Sequence, residues 1–348
     1  MKIIIPCAGK SSRFPNMRPK WMLTHPDGNL MVKKVVDSLG ADPKDVIIAI
    51  LSEHEEKYDI ARGLKENIGE GVQVVVLEHA TASQPETVAA TIRKIGLTEP
   101  FLIKDSDNIF SVPRMEEGFN YVCYSDLQDY GDINPGNKSY IKMNEQGIIT
   151  DIVEKSVASR FFNVGGYYFS DPKKFMETYE RLAKGNGGEL YTSHVIADMI
   201  MRGNEVFMGK YIKNYVDWGT WEQWSRYVQK FRTYFIDLDG VVFKSGAQYF
   251  SPRWDQTGPI MENVEAIKKL CDEGSSQIFF VTARPENCRA LTEQKLSALG
   301  LKWSALIMGC FHAKRVLIND FSMTSSYPSC EAINVLRDSE DLKRYLHK

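Results

Sequence analysis

The sequence lacks three features that would assign it to a specialised class of protein. No apolar run approaches the ~18 residues that a membrane-spanning helix needs. The formal net charge is only -2, from 43 basic and 45 acidic residues, so no basic excess is present to bind a nucleic-acid backbone. The six cysteines are scattered without a CxxC pair, which argues against a zinc site or a disulfide framework. This cysteine usage favours a reducing, cytoplasmic compartment.

The sequence does contain enough apolar material for real cores. Of its 348 residues, 43% are hydrophobic and 25% are charged, which is ordinary for globular protein. At ~150 residues per domain, the length predicts about two domains. The opening segment, Met1–Pro6, has too short an apolar stretch for a secretory signal and is interpreted as a buried first strand.

Short apolar strands alternate with amphipathic segments in the first half of the chain. The predicted strands are Lys2–Pro6, Val46–Leu51, Val72–Leu77 and Phe101–Lys104, and the predicted helices between them include Met31–Ser38 and Glu86–Ile95. This alternation predicts parallel strands covered by helices. Three further predicted strands lie closer together and indicate hairpins or an added subdomain: Ser139–Met143, Ile148–Glu154 and Gly165–Phe169.

A second alternation begins at Tyr234 and predicts a separate domain. Its predicted elements are the strands Tyr234–Ile236, Gln277–Val281 and Arg315–Ile318 and the helices Glu262–Cys271 and Pro285–Leu299. We place the boundary after an aromatic-rich helix, Trp221–Phe231, which gives domains at residues 1–231 and 232–348. The expected fold class is α/β, with two Rossmann-like α/β domains.

A loop of small residues, Ala8-Gly9-Lys10-Ser11-Ser12-Arg13, follows the first predicted strand. Small residues let backbone amides approach phosphate oxygens, and ligands of open α/β sheets lie at the carboxyl ends of the strands. The planar fork of Arg13 suits a triphosphate, and Lys20 would add a second cation. Alone, this loop is explained equally well by an ordinary strand–helix turn.

The order of motifs across residues 1–225 resembles the nucleotidyltransferase family that makes nucleotide sugars and related activated compounds. The matching motifs are Gly9–Arg13, Pro19-Lys20, Asp105-Ser106-Asp107, Glu154-Lys155, Asn163-Val164-Gly165 and Asp217-Trp218-Gly219-Thr220. The resemblance implies a GT-A-like mixed sheet. It also implies attack of a sugar or polyol phosphate on the α-phosphorus of a nucleoside triphosphate, with loss of pyrophosphate.

The resemblance implies a role for each matching residue. Asp107 and Asp217 would bind Mg2+, which favours carboxylate ligands, while Arg13 and Lys20 would act catalytically on the triphosphate. The implied nucleotide-binding residues are Ala8, Gly9, Lys10, Ser11, Ser12, Arg13, Ser83 and Gln84. The implied acceptor-binding residues are Lys155, Asn163, Gly165 and Glu189. Asp105 either assists the metal site or is a solvated residue at the end of a strand.

Two positions depart from the family pattern, since Ser11 and Ser83 stand where the family usually has glycine. Serine restricts the backbone more than glycine does, so the nucleobase stays open. The compact first domain and its Gln-x-Glu-Thr turn resemble the branch that acts on phosphocholine, polyol phosphates and capsule precursors. That branch often uses CTP, and we therefore favour cytidylyl transfer.

The sharpest motif of the second half is Asp237-Leu238-Asp239-Gly240, which follows a predicted strand. A nucleophilic carboxylate with a neighbouring acid/base suits hydrolysis of a phosphate monoester. With Thr282, Lys314 and Asp320 the motif resembles the haloacid dehalogenase (HAD) superfamily of phosphatases. The resemblance implies Asp237, Asp239, Thr282 and Lys314 as catalytic residues. It implies a magnesium site of Asp237, the backbone carbonyl of Asp239 and Asp320, in a capless form of the fold.

The hypothesis from sequence is a bifunctional cytoplasmic enzyme of surface-polysaccharide synthesis. Its partners would be a nucleoside triphosphate, with CTP favoured, and a small phosphorylated acceptor, with no nucleic acid and no membrane. A homo-oligomer is left open, because the aromatic-rich stretch Trp218–Tyr227 suits a subunit interface or a seam between domains. Two rivals stand beside it: a non-catalytic second domain with an assembly or regulatory role, and a nucleotide sensor whose base site Ser83 has altered.

Overall fold

The computed structural model describes residues 1–9, 14, 17–112, 114–116, 118–131, 133–185, 188–203, 205–246, 252–320 and 330–346. The chain divides into two compact units, Met1–Val228 and Gln229–Lys348. Among the described residues, no helix is both long enough and apolar enough to cross a membrane.

The first unit is built on one large mixed sheet. Its strands are β1 (Lys2–Pro6), β2 (Val46–Leu51), β3 (Gln73–Leu77), β4 (Phe101–Lys104), β5 (Asn108–Ile109), β6 (Asn120–Asp126), β7 (Ser139–Met143), β8 (Ile149–Glu154), β9 (Phe161–Phe169), β10 (Phe207–Tyr211) and β11 (Val216–Asp217). Its helices are α1 (Met31–Leu39), α2 (Ser52–Tyr58), α3 (Ile60–Ile68), α4 (Gln84–Ile95), α5 (Pro172–Gly185), α6 (Thr192–Met201) and α7 (Trp221–Val228). Four short 3-10 turns connect them: Lys20–Met22, Pro43–Asp45, Leu127–Asp129 and Pro135–Asn137.

The strand order of the large sheet is β10-β6-β9-β4-β1-β2-β3, and β7 joins it through β9 and carries β8. Strands β4, β1, β2 and β3 run parallel to one another, whereas β9 is antiparallel to both β4 and β6. The carboxyl ends of β1 and β4 therefore lie side by side. The short strands β5 and β11 form a separate antiparallel pair.

Alternating side chains of β1 feed two cores on opposite faces of the sheet. Ile3 and Ile5 pack with residues of α1, α3 and α7, while Ile4 packs with residues of α4, α5 and α6. Successive side chains of a strand point to opposite faces, so a strand buried on both faces reads as a continuous apolar run. That is the reason why β1, β2 and β4 have the bounds that the sequence predicted.

The second unit has a small parallel sheet of its own. Its strands are β12 (Arg232–Asp237), β13 (Ser276–Val281) and β14 (Ala305–Ile307), and its helices are α8 (Met261–Asp272), α9 (Arg289–Ala298) and α10 (Lys343–Leu346), with a 3-10 turn at Glu286–Cys288. The order is β12-β13-β14, with both pairs parallel. A separate core of buried residues from β12, β13, α8 and α9 holds this unit together.

One predicted strand of this unit is wrong. Residues 308–320 form neither helix nor strand, and Val316, Leu317 and Ile318 are 73%, 56% and 90% exposed. A short β-branched run favours a strand only where a neighbouring strand and a core accept it. The third strand of the sheet is instead β14, which the sequence analysis did not predict.

Candidate active site

A cavity of about 620 Å³ opens at the carboxyl ends of β1 and β4. Its lining includes Cys7 and Gly9 after β1 and the turn Asp105–Asn108 after β4. Parallel strands end at the same edge of a sheet, and open α/β folds bind ligands there. The motifs that were singled out in the first half of the sequence thus line one cavity.

Asp107 and Asp217 meet in this cavity although they are 217 − 107 = 110 positions apart. The pairing of β5 with β11 sets Asn108 opposite Asp217, and the Trp218 amide donates to the Asp107 carbonyl at 2.8 Å. A Cβ added to Gly219 would lie 3.1 Å from Asp217 Oδ1 and 3.4 Å from Asp107 Oδ2. Both carboxylates therefore face the same small space beside Gly219.

Each of these carboxylates is paired with a lysine. Lys20 Nζ binds Asp107 Oδ2, and Lys138 Nζ lies 2.5 Å from Asp217 Oδ2 and 2.6 Å from the Tyr215 hydroxyl. Burial raises the pKa of the Asp107 carboxyl, but the charges of Lys20, Lys138 and Lys104 outweigh it and hold the pKa below its usual value. The sequence analysis predicted Lys20 but missed Lys138.

A third lysine, Lys104, holds the turn that carries Asp107. Its ammonium is fully buried and donates to the Asp105 carbonyl at 2.9 Å, to the Asn108 carbonyl at 2.8 Å and to Asn108 Oδ1. Burial lowers the pKa of Lys104 to about 8. All three donors of the ammonium stay within the turn, so Lys104 shapes the site and does not face a ligand.

Asp105 is tied into the wall of the cavity. Gln84 Nε2 donates to Asp105 Oδ1 at 2.5 Å, and Thr192 Oγ1 donates to Gln84 Oε1 at 2.7 Å. Burial, and after it the negative charge of Asp107, raise the pKa of Asp105 to about 6. Asp105 is therefore a partly buried group held in a hydrogen-bonded network and not the freely solvated strand-end residue that the sequence allowed.

Ser83, one of the implied nucleotide contacts, caps a helix. Its hydroxyl accepts from the Glu86 amide at the start of α4, with Pro85 in the first turn. Serine is among the preferred residues at this position because its oxygen satisfies a free backbone amide. The backbone at Ser83 is extended, so the chain does not require a glycine here. Ser83 and Gln84 both line the cavity.

Lys155 and Glu189 are brought together through a tyrosine that the prediction omitted. Lys155 Nζ donates to the Tyr191 hydroxyl and lies 4.2 Å from the ring centroid, and the same hydroxyl donates to Glu189 Oε2. Lys155 also has φ +51°, a left-handed conformation that costs a lysine free energy. Backbone strain of this kind concentrates at functional sites.

The Asn-x-Gly motif lies against the Asp105 turn. Gly165 has φ +81°, and a Cβ there would lie 2.2 Å from Asp105 Oδ2. Asn163 Oδ1 accepts from the Gly165 amide at 2.6 Å, while Asn163 Nδ2 is buried and has no hydrogen-bond partner among the described residues. Asn163 lines the cavity, so this donor is placed where a bound ligand would satisfy it.

Part of the predicted phosphate loop lies outside the described residues, namely Lys10, Ser11, Ser12 and Arg13. Of the two predicted members before them, Ala8 is fully buried and Gly9 is exposed and lines the cavity. The roles of all six in binding nucleotide stay predictions.

In the second unit, three predicted residues meet at the ends of neighbouring strands. Asp237 ends β12 opposite Val281, the residue before Thr282, and Thr282 Oγ1 donates to Asp239 Oδ2 at 3.1 Å. The buried Arg284 donates to Asp239 through Nη2, which lies 2.8 Å from Oδ1, and through Nε, which lies 3.0 Å from Oδ2. Arg315 pairs with both oxygens of Asp237 at 3.0 and 3.1 Å.

Two other predicted residues of that unit are exposed, Lys314 and Asp320. No group of three or more His, Cys, Asp or Glu side chains that could hold a metal ion forms anywhere in the described part of the chain. The predicted magnesium site of Asp237, the Asp239 backbone carbonyl and Asp320 contains only two carboxylates and stays a prediction. The sequence also missed Arg315, which lies beside Asp237 although the run around it is not a strand.

Comparison with family models gives no match, and neither does comparison with curated proteins. Solved structures do match the N-terminal part. A nucleoside-diphosphate-sugar pyrophosphorylase from Vibrio cholerae RC9 is 19% identical, with a TM-score of 0.55 over 65% of this chain and 99% of its own. The inositol-1-phosphate CTP transferase of T. maritima is 16% identical, with a TM-score of 0.51 over 64% and 90%.

A third match is the CTP:phosphocholine cytidylyltransferase of Streptococcus pneumoniae, which is 15% identical with a TM-score of 0.51 over 66% of this chain and 97% of its own. At these identities the likeness establishes the fold alone. It confirms a nucleotidyltransferase fold with a large mixed sheet for the N-terminal part. The HAD-like fold of the second unit stays a prediction.

Proposed function

We propose that residues 1–231 form a magnesium-dependent nucleotidyltransferase. It transfers a nucleotidyl group, CMP from CTP in the form we favour, to a small sugar, polyol or amino-alcohol phosphate and releases pyrophosphate. The observation that carries the proposal is the convergence of Asp107 and Asp217, each paired with a lysine, in the cavity that also contains Lys155. The nucleotidyltransferase fold of the structural neighbours supports it.

The carboxylate pair suits Mg2+. This ion is usually held by one or two protein carboxylates, with waters and substrate phosphates completing its shell, and Asp107 and Asp217 supply two that face one space. When bound, the ion would neutralise charge on the phosphates. Asp107 and Asp217 are the residues that would hold it.

The lysine and arginine side chains of the site would bind the phosphates and neutralise their remaining charge. An acceptor phosphate oxygen is already an anion, so its attack on the α-phosphorus needs no general base. The bond from that phosphorus to pyrophosphate breaks as the new bond forms, and catalysis rests on positioning and on neutralising charge. Lys20 and Arg13 would hold the triphosphate, and Lys155 would hold the acceptor phosphate.

The side of the cavity around Lys155 suits the rest of the acceptor. Glu189, Tyr191 and the unpartnered Asn163 Nδ2 supply an acceptor, a hydroxyl and a donor for hydrogen bonds. Two of the structural neighbours named above are described as CTP enzymes, one for inositol 1-phosphate and one for phosphocholine. These likenesses support CTP as nucleotide and a polyol or amino-alcohol phosphate as acceptor, for a capsule or surface-polysaccharide precursor.

Pyrophosphate release tests the proposal. The Asp237→Asn protein, in which the second unit cannot consume phosphorylated acceptors, is supplied with Mg2+, one of CTP, UTP, GTP, ATP or dTTP, and a panel of acceptors. We expect release with one nucleotide and one acceptor class, reduced by about 10²–10³-fold in Asp107→Asn. Asp151→Asn, which alters an exposed ion pair with Lys142, is the matched control. Equal rates in the two variants would refute the role of Asp107.

A second activity, hydrolysis of a phosphate monoester, is proposed for residues 232–348. The observation that favours it is the meeting of Asp237, Asp239 and Thr282 at the ends of two parallel strands. Asp237 would attack the phosphorus and form an aspartyl-phosphate, while Asp239, fixed in one orientation by Arg284, gives a proton to the leaving oxygen. Water would then attack the phosphorus, lose a proton to Asp239 and release phosphate from Asp237. The alternative is a non-catalytic assembly module, and loss of hydrolysis in folded Asp237→Asn protein would exclude it.

A further inference from the structure

Lys138 is a partly buried cation for which the roles proposed above give no function. It lies between the 3-10 turn Pro135–Asn137 and β7, and its side chain is 13% exposed. Within the part of the chain that the structure describes, its ammonium donates hydrogen bonds to Asp217 Oδ2 and to the Tyr215 hydroxyl. Because this lysine is bonded to a carboxylate that is proposed to bind the metal, we expect it to affect the affinity of the site for the metal.

The carboxylate of Asp217 has little capacity left. Its Oδ1 accepts from the Gly219 amide at 3.0 Å, and its Oδ2 accepts from Gln223 Nε2 at 2.9 Å in addition to Lys138. A carboxylate oxygen has about two lone pairs in good positions. Oδ1 keeps one lone pair toward the space shared with Asp107, whereas a divalent cation reaches Oδ2 only when one of its two donors leaves. In either position the charge of the cation repels the Lys138 ammonium, which is the charged donor on this carboxylate.

A displaced ammonium needs a new anionic partner. Lys138 lines the same cavity as Lys20 and Lys155, and leaving a charge there unpaired is costly. A triphosphate in the cavity would supply oxygens for it. A cation that binds without nucleotide leaves the displaced ammonium of Lys138 without an anionic partner. A cation that binds together with nucleotide leaves the ammonium paired with a phosphate oxygen.

We propose that Lys138 competes with the divalent cation for Asp217 and moves to a phosphate oxygen of the nucleotide when the cation binds, so that cation and triphosphate bind cooperatively. The inference rests on the proposed function of the same site and adds a catalytic residue to it. By linkage, the factor by which nucleotide tightens cation binding equals the factor by which the cation tightens nucleotide binding.

The test measures Mn2+ binding to the full-length protein by electron paramagnetic resonance of the free ion, with and without α,β-methylene-CTP. We expect Lys138→Met to bind Mn2+ about tenfold more tightly than wild type in the absence of nucleotide, because the competing charge is gone. The factor by which α,β-methylene-CTP tightens Mn2+ binding should be smaller in Lys138→Met than in wild type. Lys142→Met, which changes an exposed lysine of the neighbouring strand β7, is the control and should match wild type.

The sign of the change separates this role from a structural one. A lysine that merely held Asp217 in place would, once removed, weaken Mn2+ binding, and an equal or weaker affinity in folded Lys138→Met overturns the proposal. Lys138→Arg keeps the charge and grips a carboxylate with a fork, so it should bind Mn2+ a few-fold more weakly than wild type. If Lys138→Met does not fold, equal or tighter binding by Lys138→Arg overturns the proposal instead.

Asp217→Asn distinguishes failure of this inference from failure of the proposed function. If Asp217→Asn abolishes Mn2+ binding and both Lys138 variants leave it unchanged, the metal site is supported and the role of Lys138 is refuted. Wild-type protein that binds no Mn2+ even with the analogue contradicts the proposed function itself.

Discussion

Gly165→Ala tests whether the Asn-x-Gly motif shapes the active site. A Cβ at this position would lie 2.2 Å from Asp105 Oδ2, and real Cβ contacts are essentially never below 3.0 Å. The carboxylate must therefore move by at least 3.0 − 2.2 = 0.8 Å. The Asp105 amide is itself bonded to the Gly165 carbonyl at 2.9 Å, so the strain passes into the turn that carries Asp107.

The loss of folding free energy in Gly165→Ala has two parts, which a control variant separates. An alanine at φ +81° costs roughly 1–2 kcal/mol of backbone strain, and forcing a methyl group into a packed site costs roughly 1–3 kcal/mol more. Gly147→Ala shares the first part, since φ is +76°, but nothing lies within 4 Å of its added Cβ. We expect losses of about 2–5 kcal/mol for Gly165→Ala and about 1–2 kcal/mol for Gly147→Ala.

Urea unfolding followed by tryptophan fluorescence measures these losses, and pyrophosphate release measures the effect on the site. A misplacement of about 1 Å in an active site can cost about 10²-fold in rate, so we expect that loss for Gly165→Ala and near wild-type turnover for Gly147→Ala. If the two variants are equally stable and equally active, the close approach of Gly165 to Asp105 does not shape the site.

Three further predictions concern single side chains. Because the pKa of Asp105 is raised to about 6, the folded protein binds more protons than the unfolded chain between about pH 4 and 6, and the free energy of unfolding falls as pH rises through that window. Asp105→Asn should therefore gain about 1–3 kcal/mol over wild type at pH 7 but not at pH 4, in urea unfolding; no difference between the two pH values would contradict this. Lys155→Met should raise the KM for the acceptor by about tenfold or more and leave the KM for nucleotide near wild type, and an equal rise in both would place Lys155 elsewhere. Asp237→Asn should abolish hydrolysis of p-nitrophenyl phosphate or polyol phosphates, whereas Asp255→Asn, which alters an exposed ion pair with Arg253, should retain it; residual hydrolysis equal in both would assign the activity to other residues.

The parts of the fold that the sequence predicted are those that local pattern determines. Strands such as β2 and β4 are buried on both faces, so their apolar runs mark their bounds. The run Arg315–Ile318 has the same local pattern, yet it is exposed and unpaired in the described structure. Strand formation depends on a neighbouring edge that no local pattern encodes.

The candidate site divides in the same way. Asp107, Asp217, Lys155 and Glu189 were predicted because their motifs resemble a family, and the structure gathers them in one cavity. Lys138 carries no motif, and it contacts Asp217, 79 positions further along the chain, only through the fold. Tyr191 likewise becomes visible only through its bonds to Lys155 and Glu189.

The most direct test of the central claim is the mass of the product. Protein, CTP, Mg2+ and the acceptor panel are incubated together and analysed by mass spectrometry, with Asp217→Asn and Asp151→Asn in parallel. The account predicts an adduct of one acceptor with CMP and one pyrophosphate for each adduct. Asp217→Asn should form almost no adduct, and Asp151→Asn should form as much as wild type. An adduct that Asp217→Asn forms as fast as wild type, or bound CTP with no adduct from any acceptor, would contradict the account.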